Sequence, residues 1–174
     1  MLLIFTSCAV EDTTADSDVD AMVGPGSSAD VHAPDTPAVR ASGLLTNPYD
    51  WGLVAPERDP FSPEGLIACD SESHGPEEIT GVWVYSVQTE TCDWLTISQQ
   101  PAIPIEPGDR LRARVFHFAL TAPAEATAHL GLAWSDGVFV TADEPIPSES
   151  HLVTLDYIAE HSRPAGAELF FHID

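Results

Sequence analysis

The residues best suited to ligand binding in this chain are its four tryptophans. Predicted loops or strand ends carry all of them: Trp51, Trp83, Trp94 and Trp134. An exposed indole at such a place can stack on a sugar ring or on another apolar ligand face. For each tryptophan the alternative is a buried ring that anchors the core. The sequence therefore predicts a ligand-binding surface drawn from these four residues, without deciding which of them are exposed.

Histidines on neighbouring predicted strands are a second candidate for chemistry. Imidazole is a common metal ligand, and three histidines fall on strands that could meet: His117, His129 and His172. Metal-binding jelly rolls usually carry a second histidine two residues after the first. Here the strand reads Phe116-His117-Phe118, so histidines hydrogen-bonded within the sheets are favoured and no metal ligand is assigned.

Motifs for catalysis are missing from the sequence. It has no Gly-x-Ser-x-Gly elbow and no phosphate-binding glycine loop, and carboxylate pairs carry little information in so acidic a chain. Arg112 and Arg114 project from one side of a predicted strand and could hold a ligand carboxylate, although pairing with nearby acidic residues is favoured. We expect a protein that is not an enzyme.

The charge balance excludes several partners. The 174 residues include 28 Asp and Glu against 6 arginines, with no lysine, for a net charge of −22. Residues 41–174 alone hold twenty-one of these acids and five of the arginines. Such a surface repels nucleic acid and anionic membranes. It favours solubility, with a structural Ca²⁺ site as the alternative because calcium prefers oxygen ligands.

Cys8 predicts a lipid anchor. It follows a short apolar run and two small residues, Thr6 and Ser7, which is how a bacterial lipoprotein signal ends. The run is shorter than a normal signal core and lacks basic residues before it, so we expect the true start to lie upstream and residues 1–8 to be a signal remnant. An ordinary secretory remnant or a chance cysteine are the alternatives.

Cys69 and Cys92 remain as a pair within the folded part. In an oxidising compartment such a pair usually forms a disulfide, and export would make both cysteine interpretations natural. Two free thiols or a metal pair are the alternatives, the latter disfavoured because neither cysteine has a C-x-x-C partner. The predicted location is the cell envelope or the extracellular space.

An acidic linker separates the anchor from the domain. Residues 9–43 contain no aromatic residue and are dominated by Asp, Ser, Thr, Pro and Gly. Such a segment cannot bury enough apolar surface to offset its ordering entropy. We expect a disordered tether over residues 9–43 and one domain over residues 44–174.

Within that domain, residues 44–80 are predicted to be irregular, with at most one short strand. After residue 80 the apolar period becomes two, which indicates strands. The predicted strands are Gly81–Thr89, Cys92–Ser98, Arg110–Leu120, Thr127–Trp134, Val138–Ala142, His151–Tyr157 and Glu168–Ile173. Short gaps predict hairpins at Glu90-Thr91 and at Ser135-Asp136-Gly137. The fold class is all-β, an antiparallel β-sandwich of jelly-roll type.

Two strand entries carry a resemblance. Pro107-Gly108-Asp109-Arg110-Leu111 enters one strand and Pro164-Ala165-Gly166 enters another. This pattern, over about residues 65–174, resembles the galactose-binding-like and carbohydrate-binding-module β-sandwiches. It is also similar to uncharacterised bacterial surface lipoproteins in which a sandwich follows a lipobox and an acidic linker. The resemblance implies ligand binding in loops or on one sheet face, often beside a structural Ca²⁺.

Taken together, these features predict a surface-tethered, non-catalytic binding module. Carbohydrate is the leading ligand class, and the alternative is a structural or partner-docking domain of the envelope. The membrane is a partner only through the lipid anchor.

Overall fold

A computed structural model describes residues 2–11, 44–61 and 65–174. Over these residues the chain forms ten strands and one 3-10 helix, Pro56–Arg58. The strands are β1 (Leu2–Glu11), β2 (Gly52–Leu53), β3 (His74–Ile79), β4 (Val82–Val87), β5 (Leu95–Gln99), β6 (Arg110–His117), β7 (Ala126–Trp134), β8 (Gly137–Ile146), β9 (His151–Ile158) and β10 (Leu169–Ile173). No helix in the described part is long and apolar enough to cross a membrane.

The strands form two five-stranded sheets. The first sheet has the order β3-β4-β1-β6-β9 and the second has the order β2-β5-β10-β7-β8. Every pairing between these strands is antiparallel. The predicted all-β antiparallel class is confirmed, whereas the jelly-roll connectivity stays a prediction.

One apolar core joins the two sheets. In β6 the alternating residues Leu111, Ala113 and Val115 are buried while Arg112 and Arg114 are not, as the period of two predicts. These three residues share a cluster with side chains of the second sheet, among them Ile97, Leu132 and Phe171. The inward faces of both sheets therefore supply the core, as in a sandwich.

β10 lies at the centre of the second sheet and is buried on both faces. All five of its residues are buried, because Phe171 enters the main core while Phe170 packs on the opposite face with Val54 and Ala133. The sequence of a strand that is covered on both faces is a continuous apolar run, without the alternation of apolar and polar residues that a half-exposed strand shows.

β1 was not predicted. Leu2–Ile4 pair with β4, and residues 2–5 and 9–11 pair with β6, with a register shift between Phe5 and Ala9. Residues 2–8 of the segment expected to be a signal remnant, including Cys8, thus lie in a central strand of the first sheet. Of the predicted tether, residues 9–11 end β1 and residues 12–43 lie outside the described residues.

The predicted hairpin at Glu90-Thr91 is wrong. β4 pairs with β1 and β3 in the first sheet, whereas β5 pairs with β2 and β10 in the second. A short gap permits a hairpin but does not require one, because the chain can instead cross from one sheet to the other. The hairpin at Ser135-Asp136-Gly137 is confirmed, joining β7 to β8.

Residues 44–80 contain two strands, β2 and β3, where at most one was expected. β3 contains Gly75 and Pro76 and has no strongly buried face, so the apolar pattern did not reveal it. Its edge position explains why it tolerates proline, since one side of an edge strand donates no ladder hydrogen bonds.

The disulfide between Cys69 and Cys92 is confirmed. It ties the segment before β3 to the crossing segment between β4 and β5, where Ala68 also bridges to Trp94. The cysteines are 23 residues apart, and closing a loop of that size stabilises a fold by about 3.5 kcal/mol through the entropy of the unfolded chain.

Candidate functional sites

Two of the four tryptophans belong to the core. Trp51 is 8% exposed and Trp134 is 4% exposed. The Trp134 ring stacks on Phe139, and the Arg163 guanidinium lies 5.6 Å from its centroid. Rings buried to this extent can reach a ligand only if the core rearranges, so they serve mainly as anchors.

Trp94 lies beside a small pocket. Its indole nitrogen donates to the Leu66 carbonyl oxygen over 3.4 Å. The pocket has a volume of about 160 Å³, and Leu53, Val54 and Pro56 are among its other lining residues. Ligand pockets usually measure about 300–1,000 Å³, so this one lies below the usual range.

Trp83 is the exposed tryptophan. It is 46% exposed and contacts Tyr49, which is 54% exposed. Their ring centroids are 4.8 Å apart with an angle of 48° between the planes. We call these two residues the aromatic pair. Tyr49 was not among the predicted site residues; a signal for it was its position directly after the turn dipeptide Asn47-Pro48.

A network of hydrogen bonds fixes the Tyr49 side of the pair. The Asn47 side chain accepts from the Tyr49 backbone N–H at 3.2 Å and donates to Asp50 at 3.0 Å. The Asn47 backbone N–H donates in turn to the side chain of Gln99, a buried residue of β5. The turn at Asn47–Asp50 is therefore hydrogen-bonded to the second sheet, and this fixes the position of the Tyr49 backbone.

Glu78 adds a polar group near the aromatic pair. It lies opposite Trp83 in the β3–β4 register. Partial desolvation and the negative charge of Glu78 raise the pKa of the Tyr49 hydroxyl. The surface thus offers two ring faces, a hydroxyl donor and a carboxylate acceptor.

Four of the described histidines lie in two groups, and the candidate set of His117, His129 and His172 is not one of them. His129 and His172 both approach Asp174, at 2.8 Å and 3.5 Å. His117 approaches Glu144 and His151 instead. The sequence favoured histidines hydrogen-bonded within the sheets, and these three histidines do have such partners. They do not meet one another, because contacts depend on strand pairing and on how the sheets face each other.

A buried polar network surrounds His172. The Thr96 hydroxyl donates to Asp59 at 2.8 Å and lies 2.6 Å from His172 Nδ1. Since its single proton goes to Asp59, the Thr96 oxygen accepts from His172 Nδ1–H. The three side chains satisfy one another in the interior.

Phe61 covers this network. Its ring stacks on the His172 imidazole with centroids 4.3 Å apart. Gly131, opposite His172 in the β7–β10 register, leaves room for the ring, because a Cβ there would lie 2.5 Å from Phe61 Cε1.

The set Thr96, His172 and Asp174 has the residue types of a nucleophile with its base and orienting acid. The Thr96 hydroxyl, however, gives its proton to Asp59 and is 1% exposed. It therefore has neither the hydrogen bond nor the access that an activated nucleophile needs. We therefore interpret the network around His172 as one that stabilises the fold.

His117, Glu144 and His151 form the second group, which we call the His–Glu–His cluster. Glu144 Oε1 lies 3.7 Å from His117 Nε2, and Glu144 Oε2 lies 3.0 Å from His151 Nε2. The potential ligand atoms of the three side chains all lie within 4.8 Å of one another. Within the described ranges this is the only such group of three or more histidine, cysteine or acidic side chains.

The sequence reasoning missed Glu144 and His151. The alternation of β6 extends from Leu111 through Val115 to His117 and places that histidine on the inward face, a signal that was present. No local pattern marks Glu144. The three residues come together only through the pairing of β6 with β9 and the packing of β8 against β9.

Other predicted groups have different partners. Arg112 contacts Asp156 at 3.3 Å, and Arg110 donates to the same carboxylate at 2.8 Å. These hydrogen bonds and charges hold the pKa of Asp156 below its ordinary value. Pairing with a local acid, the alternative favoured for Arg112, is confirmed. In the described part of the chain, no group of three carboxylates suited to Ca²⁺ appears.

No protein-family model matches the chain, and no curated protein and no solved structure shows significant similarity to it. The candidate sites therefore stand on their own geometry.

The environment of His172 predicts how stability changes with pH. Burial lowers the pKa of His172 below its ordinary 6.5, against the opposing charges of Asp174 and Asp59. As pH falls below about 6.5 the unfolded chain binds this proton before the native protein does, so the free energy of unfolding decreases. We expect His172→Asn, which can keep a donor toward Thr96, to show a smaller loss between pH 7 and pH 5.

Urea unfolding at a series of pH values measures this effect. His161→Asn is the matched control, because His161 is exposed and should leave the wild-type slope unchanged. Burial also lowers the pKa of His74. This histidine is present in all three proteins, so its contribution to the pH dependence of the free energy of unfolding cancels in the comparison. Equal slopes for His172→Asn and the wild type would contradict the assignment.

Proposed function

We propose that this protein is a non-catalytic binding module that works outside the cytosol and binds carbohydrate at the aromatic pair. The observation that carries the proposal is the contact between two exposed rings, Tyr49 and Trp83, that project from different parts of the fold. Large aromatic side chains are usually buried, so two of them exposed together suggest a binding surface.

The chemistry of the pair suits a sugar. A pyranose ring presents C–H bonds on its face and hydroxyls on its edge. The rings of Tyr49 and Trp83 can contact the face, while the Tyr49 hydroxyl and the Glu78 carboxylate can donate to and accept from the edge. The second sheet holds the turn that carries Tyr49 through Gln99, which limits the ordering entropy lost on binding.

The charge of the domain narrows the sugar class. Residues 41–174 hold twenty-one acidic residues and five arginines, so an anionic glycan would be repelled at long range. We therefore favour neutral or amino sugars over sulfated or uronic-acid polymers.

Substitution of Trp83 tests the proposal. We expect Trp83→Ala to weaken binding to a neutral glycan by at least about tenfold, since removal of a central aromatic anchor commonly costs more than 1.4 kcal/mol. Glycan arrays with the full chain would find the sugar, and calorimetry would measure its affinity. The control is Phe118→Ala, because Phe118 is 45% exposed and Trp83 is 46% exposed.

Three outcomes would count against carbohydrate binding. The full chain could bind no glycan, Phe118→Ala could weaken binding as much as Trp83→Ala, or Trp83→Ala could bind normally. A protein partner that is lost with Trp83→Ala, in the absence of glycan binding, would instead support the structural or partner-docking alternative.

Export and a lipid anchor complete the proposal. The Cys69–Cys92 disulfide fits an oxidising compartment, and lipid attachment at Cys8 would tether the domain to the envelope. Signal cleavage before Cys8 would remove residues 1–7, which include the first part of β1. β4 and part of β6 would then lose the partners that β1 gives them in the structure.

The intact mass of protein recovered from its native source tests the anchor. We expect a chain that begins at Cys8 and carries lipid. A chain that retains residues 2–7 without lipid would contradict the anchor and would support β1 as a permanent part of the first sheet.

A further inference from the structure

The His–Glu–His cluster links the two sheets. His117 ends β6 and His151 begins β9, and the two face each other in the register of the first sheet. Glu144 comes from β8 in the second sheet. His117 is 1% exposed and Glu144 is 7% exposed, whereas the His151 side chain is 47% exposed. The cluster is thus closed toward the core and open on the His151 side.

Hydrogen bonds determine which nitrogen of each ring carries a proton. His117 Nδ1 lies 2.8 Å from the Phe118 carbonyl oxygen, and His151 Nδ1 lies 3.0 Å from the Glu149 carbonyl oxygen. A carbonyl oxygen only accepts, so both Nδ1 atoms must be donors. In the neutral rings, both Nε2 atoms therefore present lone pairs.

These lone pairs point toward a carboxylate. His117 Nε2 is buried and has no hydrogen-bond partner among the described residues, although Glu144 Oε1 lies 3.7 Å away. Two lone pairs and an anion that converge in a largely buried place repel one another unless a cation lies between them. A buried polar atom without a partner costs free energy, so this arrangement needs a proton or a metal ion between these atoms to balance it.

We propose that His117 Nε2, His151 Nε2 and the Glu144 carboxylate bind one divalent transition-metal ion of the zinc class. The site is independent of the aromatic pair and goes beyond the proposed carbohydrate binding. Two imidazoles and one carboxylate are a known ligand set for Zn²⁺. Ca²⁺ and Mg²⁺ prefer oxygen ligands only, so the imidazoles select against them.

The distances suit such an ion. Bonds of about 2.0–2.1 Å in a tetrahedral site place the ligand atoms roughly 3.3 Å apart. The observed separations of 3.7 Å and 3.0 Å run from the two imidazoles to different oxygens of Glu144. The ligand atoms lie within 4.8 Å of one another, so the side chains must close in by up to about 1.5 Å to complete a tetrahedral site. The carbonyl acceptors of Phe118 and Glu149 already orient the rings, as outer partners do in metal sites.

The open side of the cluster predicts its fourth ligand. Three protein ligands leave one tetrahedral position, and the exposed face of His151 lets water or a small anion fill it. Because Glu144 belongs to the second sheet, the ion would also join β8 to β6 and β9 of the first sheet. Binding should therefore raise the thermal stability of the fold.

Zinc titration of the full chain, after chelator treatment and dialysis, tests the site. Calorimetry should give one Zn²⁺ per chain, and the melting temperature should rise with Zn²⁺. His151→Gln removes the exposed ligand and should weaken binding by more than about 100-fold, since loss of even an outer partner costs 10–100-fold. Glu144→Gln should act in the same direction.

The control is His129→Gln. His129 is a similarly exposed histidine that also contacts a carboxylate, Asp174, but it is not part of the cluster. It should bind Zn²⁺ like the wild type. With Co²⁺ in place of Zn²⁺, the wild type and this control should show the visible bands of tetrahedral cobalt, and His151→Gln should not.

Either of two results would overturn the proposal. Wild-type protein that takes up no stoichiometric Zn²⁺ would show that a shared proton, and not a metal, balances the cluster. Equal Zn²⁺ affinities for His151→Gln and His129→Gln would place any metal elsewhere.

Discussion

Burial of β10 on both faces is the constraint on which the second sheet and its surroundings depend. The five residues Leu169–Ile173 lie between β5 and β7, with Phe171 in the main core and Phe170 on the outer face. That outer face must be covered, and the segment that contains Val54 and Phe61 covers it. The same strand places His172 beneath Phe61 and supplies the buried network with Thr96. Apolar burial of this extent is the main favourable contribution to a fold.

The two candidate sites depart from the ordinary pattern of burial, in which apolar groups are buried and polar groups are exposed, in opposite ways. The aromatic pair is apolar and exposed, whereas the His–Glu–His cluster is polar and largely buried. Each departure carries a free-energy cost that a ligand can offset. The sites also use the sandwich differently: Tyr49 and Trp83 meet where a turn reaches β4, and Glu144 crosses between the sheets to reach His117 and His151.

Much of the fold was readable from local sequence, whereas of the two sites only Trp83 and His117 were among the candidate residues. The alternation of Leu111, Ala113 and Val115 predicts β6 and its inward face, and the two cysteines predict their bond. β3 was missed because Gly75 and Pro76 interrupt any pattern. The crossing between β4 and β5 was missed because gap length does not decide pairing. Contacts such as that of Glu144 with His151 depend on strand register and on sheet packing, and a local sequence pattern predicts neither.

Amide hydrogen exchange measured residue by residue tests the central constraint most directly. If β10 is the buried centre of the second sheet, the amides of Phe170, Phe171 and His172 should exchange only through global unfolding and should be among the slowest in the protein. Amides of the edge strand β2 should exchange much faster through local opening. Exchange of the β10 amides at the rate of that edge strand would contradict the account.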